Sequence, residues 1–159
     1  MHLSPGFVDA TEAQRIEGAA RGLLRGIAQL GQTLFREGEF GLTRSQVALL
    51  DALESGPCRV TGLAARTGMA QPRVTVLLQK LGDAGLVERR RCEDDRRAVE
   101  TSLTPAGRAL LEAGRQRMAA ALLTALHRGE GAVEDPERAV STARDALNLL
   151  LNAMESEAS

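Results

Sequence analysis

The sequence predicts a mainly α-helical chain with a small β wing, a hairpin, near its centre. Three observations carry that expectation. Stretches at both ends repeat apolar residues at three- and four-residue spacing, the mark of helices with one apolar face. A short helix, a glycine turn and a second helix are legible between residues 60 and 85. Two short runs, 86–91 and 98–103, then flank a charged turn.

In chain order, the first long helix is expected over residues 11–36. Ile16, Ala20, Leu23, Ile27, Leu30 and Leu34 form its apolar face, and Gly38 and Gly41 end it. Thr43 opens a second helix, with Gln46 at capping-box spacing. Val47, Leu50 and Leu53 line its inner face, and Ser55-Gly56-Pro57 stops it. Thr61 is expected to cap a short helix through Arg66, with Gly68 making the next turn. A fourth helix starts near Gln71 and runs to Ala84, with Val74, Leu77, Leu78 and Leu81 inward. Pro72 suits its first turn, where a missing N–H costs nothing. Gly85 ends it. After the hairpin, Thr104-Pro105 signals a long helix to about His127, broken by Gly129 and Gly131. Asp135-Pro136 repeats the start signal for a last helix to about Met154. Its apolar face is Val140, Ala143, Leu147, Leu150 and Met154, widened by Leu149 and Leu151.

The chain of 159 residues carries 20 basic and 21 acidic side chains, so its overall charge selects no partner. The distribution does. Residues 59–97 hold nine basic and five acidic side chains, a local +4, whereas the remainder holds 11 and 16, a local −5. A basic middle in an acidic chain is an electrostatic footprint for a polyanion. With three Phe and no Trp or Tyr, the aromatic platforms that bind single strands are scarce. The first ten residues lack a basic segment followed by an apolar run, and no apolar run approaches a membrane span, so a cytoplasmic protein is expected.

The unit from Val60 to Thr104 (short helix, turn, helix, basic hairpin) has the layout of a winged helix-turn-helix. Such a unit lays its second helix in the major groove of duplex DNA, where base edges present distinct donor and acceptor patterns. With Val74 inward, Gln71, Arg73, Thr75, Val76 and Gln79 are left for the outer and flanking faces. Arg73 suits guanine, Gln71 or Gln79 adenine, and Val76 a thymine methyl. At the hairpin tip stand Asp94, Asp95, Arg96 and Arg97. An arginine there is drawn to the negative potential of the minor groove. A carboxylate two residues earlier, Asp95, is expected to hold the Arg97 guanidinium ready.

The order and spacing of four segments resemble the MarR family of bacterial transcription regulators. They are Leu63-Ala64-Ala65-Arg66-Thr67-Gly68, Leu81-Gly82-Asp83-Ala84-Gly85-Leu86-Val87-Glu88-Arg89, Asp94-Asp95-Arg96-Arg97 and Leu103-Thr104-Pro105-Ala106-Gly107. The resemblance implies a homodimer built by the first, fifth and sixth helices. Residues 1–42 and 105–159 would then serve dimerisation, and residues 43–104 DNA binding. It also implies that Arg97 enters the minor groove, that Asp95 orients it, and that the recognition helix spans Pro72 through Lys80. Two positions depart from the pattern. Ala70 stands where many members carry a hydroxyl, and Val76 where many carry Arg or Lys.

The expected function is a repressor on pseudo-palindromic duplex DNA. The family resemblance adds release by a small aromatic or phenolic effector. The alternative is a winged-helix protein–protein interaction module without DNA binding. No nucleophile–base pair, phosphate loop or metal spacing points to an enzyme, a cofactor or a metal site. Cys58 is expected to fill core or turn space. Cys92, beside Arg89, Arg90 and Arg91, is expected at the surface, as a passive thiol or as a redox switch in the wing.

Overall fold

Helix ends decide where a chain of this kind folds back, and three of the four expected caps form. A computed structural model describes residues 10–128 and 133–158. The first helix, α1 (Ala10–Gly38), leads to α2 (Arg44–Leu53). Thr43 Oγ1 accepts from the Gln46 N–H at 3.2 Å and Gln46 Oε1 accepts from the Thr43 N–H at 2.9 Å, a complete capping box. Thr104 Oγ1 accepts from the Gly107 N–H at 3.1 Å at the start of α5 (Pro105–Arg128). Asp135 Oδ1 accepts from the Arg138 N–H at 3.0 Å at the start of α6 (Pro136–Glu157). Gly129 and Gly131, expected to break the chain between these helices, lie outside the described residues.

The exception is Thr61. The helix α3 (Val60–Thr67) begins two residues earlier, with Arg59 at the cap and no side-chain cap bond. The cause is a strand absent from the expected elements, β1 (Cys58–Arg59), whose extended backbone runs straight into the helix. It pairs antiparallel with β3 (Val99–Leu103), which also pairs with β2 (Val87–Arg91), giving the order β1-β3-β2. Gly68 closes α3 at φ 72°, a left-handed conformation that needs no Cβ. The next helix, α4 (Gln71–Asp83), starts after Ala70, which supplies no cap bond.

The core lies beneath α2, α3, α4 and the small sheet. Leu49, Leu50, Leu53, Leu63, Val74, Leu78 and Leu81 are fully buried there, joined by Leu111 of α5. Two glycines bring α5 close. A Cβ at Gly107 would strike the Leu86 carbonyl, and one at Gly114 would strike the Phe40 ring. Arg117 Nε donates to the Gly38 carbonyl at 2.7 Å, tying α5 to the end of α1.

The outer helices differ. Ile16, Leu23, Ile27 and Leu30 on α1 are exposed, and α6 buries no residue at all. The apolar stripes stand where the periodicity places them, but nothing in the single chain covers them. Among the described residues, no helix is long and apolar enough to cross a membrane.

Candidate nucleic-acid interface

The amphipathic pattern of α4 divides its side chains cleanly. Val74, Leu78 and Leu81 enter the core, which fixes the helix and its rotation. Gln71, Pro72, Arg73, Thr75, Val76, Gln79 and Lys80 are all exposed. Their polar atoms are partly held in advance. Thr75 Oγ1 donates to the Gln71 carbonyl at 3.1 Å, and Gln79 Nε2 donates to Asp83 Oδ1 at 3.1 Å. Arg73 Nη2 donates to Ser45 Oγ at 2.9 Å, a contact from α4 to the first turn of α2. With Ala70 at the cap and Pro72 in the first turn, no side chain closes the positive end of the helix.

The hairpin is joined to this helix. Arg89 Nη2, on β2, donates to the Thr75 carbonyl at 3.3 Å. Residues Val87 to Arg91 pair in register with Leu103 to Val99, so the strands project the turn beyond them as one unit. Within the turn, the Cys92 N–H donates to the Ala98 carbonyl at 2.9 Å and the Ala98 N–H to the Asp95 carbonyl at 3.0 Å. Asp95 Oδ1 accepts from the Arg97 backbone N–H at 3.0 Å. Its carboxylate therefore shapes the backbone of the turn rather than gripping the guanidinium, which differs from the expectation. Arg96 and Arg97 are exposed, and neither forms an ion pair among the described residues.

Cys92 is corrected outright. Only 6% of it is exposed, so it is a buried residue rather than a surface one. Cys58 is half-buried and packs against the core, as expected.

A second feature lies behind the interface. A cleft of about 490 Å³ opens where α1, α2 and α5 meet, lined by Phe35, Phe40, Arg44, Ser45, Asp51 and Arg115 among others. Phe35 and Phe40 stack with centroids 5.4 Å apart, and the Arg44 guanidinium sits 5.7 Å from the Phe35 ring centre. Arg115 contacts Asp51 at 2.6 Å and Glu54 at 2.7 Å. The hydrogen bond from Arg115 holds the Glu54 carboxyl below its ordinary value. At Asp51 burial is the larger influence and raises the carboxyl against the pull of the same arginine. Both carboxylates raise the Arg115 guanidinium further, Glu54 foremost.

Residue patterns gave no warning of Ser45 or Arg89. Both act across elements, Ser45 on a residue 28 positions away and Arg89 on one 14 away.

Residues 40–98 match the family model described as the MarR family. Among solved structures, the transcriptional regulator Tm0710 of Thermotoga maritima is 25% identical, covering 91% of this chain and 96% of its own, with a TM-score of 0.59. BpsR of Bordetella bronchiseptica, whose DNA binding is regulated by 6-hydroxynicotinic acid, is 27% identical over 86% of this chain and 98% of its own, TM-score 0.57. A MepR variant of S. aureus, solved bound to an oligodeoxyribonucleotide, is 21% identical over 85% of this chain and 97% of its own, TM-score 0.59, and shares the fold. No curated protein sequence matches the chain at a significant level. The MarR segment runs from Phe40, before α2, to the far side of the wing turn, so it contains every side chain described above at α4 and the hairpin tip. The long helices α5 and α6 lie beyond it. This chain therefore has the fold of a MarR-family transcriptional regulator.

Proposed function

We propose that the protein is a homodimeric repressor that binds pseudo-palindromic duplex DNA and is released by a small aromatic or phenolic effector. The observation that carries the reading is the union of two exposed features. The polar face of α4 carries Gln71, Arg73, Thr75, Gln79 and Lys80, and the hairpin carries Arg96 and Arg97, with Arg89 joining the two. In this reading α4 lies in the major groove, where Arg73 reads guanine, Gln71 or Gln79 reads adenine and Val76 meets a thymine methyl. Arg97 enters the minor groove, held by a turn that Asp95 braces.

The outer helices support the dimer. Exposed apolar stripes of this length on α1 and α6 mark surfaces for another protein. Two copies related by a two-fold axis place two recognition helices on half-sites about 34–36 Å apart. Residues 43–104 are the DNA-binding part, and residues 1–42 and 105–159 the dimerisation parts. The cytoplasm is where such a regulator meets its DNA. BpsR, whose DNA binding responds to an aromatic acid, supports the effector class, and the Phe35–Phe40–Arg44 cleft has the chemistry to take it.

Fluorescence anisotropy on a duplex that the protein itself selects from a random pool tests the assignments. Arg97→Ala is expected to weaken all sequences alike and flatten the salt slope, and Arg73→Ala to relax base preference at one position per half-site. A uniform loss with Arg73→Ala makes it a phosphate contact, and unchanged affinity with Arg97→Ala removes the wing from the interface.

A further inference from the structure

The cleft reaches the recognition helix through one side chain. Ser45 lines the cleft, and its Oγ is also the atom that accepts from Arg73 Nη2 at 2.9 Å. Among the described residues, no other side chain lining the cleft hydrogen-bonds to α4. Two arginines line the same cleft, and they differ. Arg115 is neutralised by Asp51 and Glu54. Arg44 rests on the Phe35 ring and has no acidic partner among the described residues. An anion with a flat ring therefore finds one uncommitted cation, two stacked rings and the Ser45 hydroxyl together.

We propose that Ser45 is the residue through which this cleft controls DNA binding: an aromatic carboxylate held by Arg44 acts on Arg73 through the Ser45 hydroxyl. This rests on the effector reading above and names its route to the DNA. A serine hydroxyl has one hydrogen to donate and lone pairs to accept with. The accepting side is taken by Arg73. The hydrogen is available to a carboxylate in the cleft. Once Ser45 donates to the anion, its oxygen becomes a stronger acceptor for the guanidinium, because linked hydrogen bonds polarise one another. The anion also attracts the guanidinium directly. Arg73 is then held on α2, and its contact with DNA is lost or weakened. Linkage requires the reverse as well: DNA that draws Arg73 away weakens the ligand by the same factor.

Titration calorimetry with 6-hydroxynicotinate, on the full-length protein alone and saturated with its selected duplex, reads that factor. In the wild type, DNA is expected to weaken ligand binding about tenfold, within the usual range for coupled sites. Ser45→Ala loses its hydrogen bond to the anion and is expected to bind the free ligand about tenfold more weakly, with Arg44 and the rings still holding it, but the DNA effect on that remaining affinity falls below about twofold. Ser45→Thr keeps the hydroxyl and restores the coupling, a rescue that separates this role from a packing role. If Ser45→Ala keeps the full tenfold effect, the Ser45 route is overturned and the effector reading survives. If the wild type shows no saturable binding, or if Arg44→Ala binds as well as the wild type, the cleft reading fails and the Ser45 route fails with it.

Discussion

Leu50 in α2 and Leu150 in α6 carry the same side chain into different surroundings. Leu50 is 0% exposed and Leu150 is 40% exposed. The contrast runs through both regions. In residues 43–104 the apolar positions of three helices and a sheet close on one another, and Phe40 and Leu111 from either side of that segment complete the core. Along most of α1 and all of α6 the apolar positions line up on the helix and remain open. The same helical periodicity thus has two outcomes: it builds an interior where neighbours are supplied by the chain, and an open apolar face that, in the proposed dimer, a second copy covers.

The largest test of this contrast is a pair of truncations in the lobe and the arms. Leu78→Ala removes a fully buried side chain of the lobe and is expected to cost about 2–5 kcal/mol. It should lower the melting temperature at every protein concentration. Leu150→Asp is expected to act on assembly instead. Burying a leucine is worth about 1.5–3 kcal/mol, so sedimentation should show the dimer weakened by about a hundredfold. If Leu150→Asp destabilised a monomer as much as Leu78→Ala does, the two regions would not differ as described.

Next in size is Gly114→Ala. Its Cβ would meet the Phe40 ring, where α5 crosses the loop between α1 and α2. Overpacking of this kind costs about 1–3 kcal/mol. Urea unfolding measures it, and a neutral result would mean that the junction between arm and lobe is looser than its packing implies.

The smallest effect is at the Arg115 junction. Arg115→Met is expected to raise both the Glu54 and the Asp51 carboxyls, since the arginine pulls both down. Carboxyl NMR titration reads this directly. The signs then fix the pH dependence. Glu54, depressed in the folded chain, contributes stability above the carboxylate range and loses it as pH falls through its folded value. Asp51, raised in the folded chain, opposes this, because the unfolded chain ionises first as pH rises. The variant should therefore lag the wild type most near neutral pH, and the gap should close as both carboxyls protonate in acid.

Much of this was legible in the residues. Thr43 with Gln46, Thr104, and Asp135 with Pro136 mark helix starts by chemistry local to a few residues, and the structure makes each bond. The buried and exposed sides of α4 follow from spacing alone. What escaped depends on distant partners. A two-residue strand has no periodicity to see, so β1 exists only because Thr101 and Glu100 lie beside it, and it moved the α3 cap from Thr61 to Arg59. Cys92 sits in a charged run, which suggests exposure, but the pairing at the turn decides its burial. Asp95 found a backbone N–H closer to hand than a guanidinium. The Ser45–Arg73 bond is fixed only once two helices have packed.

The most direct test of the central claim, that α4 and the hairpin together read duplex DNA, is binding across a salt series. The duplex from just upstream of the protein's own gene is compared with a scrambled duplex of equal length. The account predicts tight, sequence-selective binding whose logarithm falls linearly with the logarithm of salt, by about 0.9 per phosphate neutralised. No binding to either duplex even at low salt would contradict it.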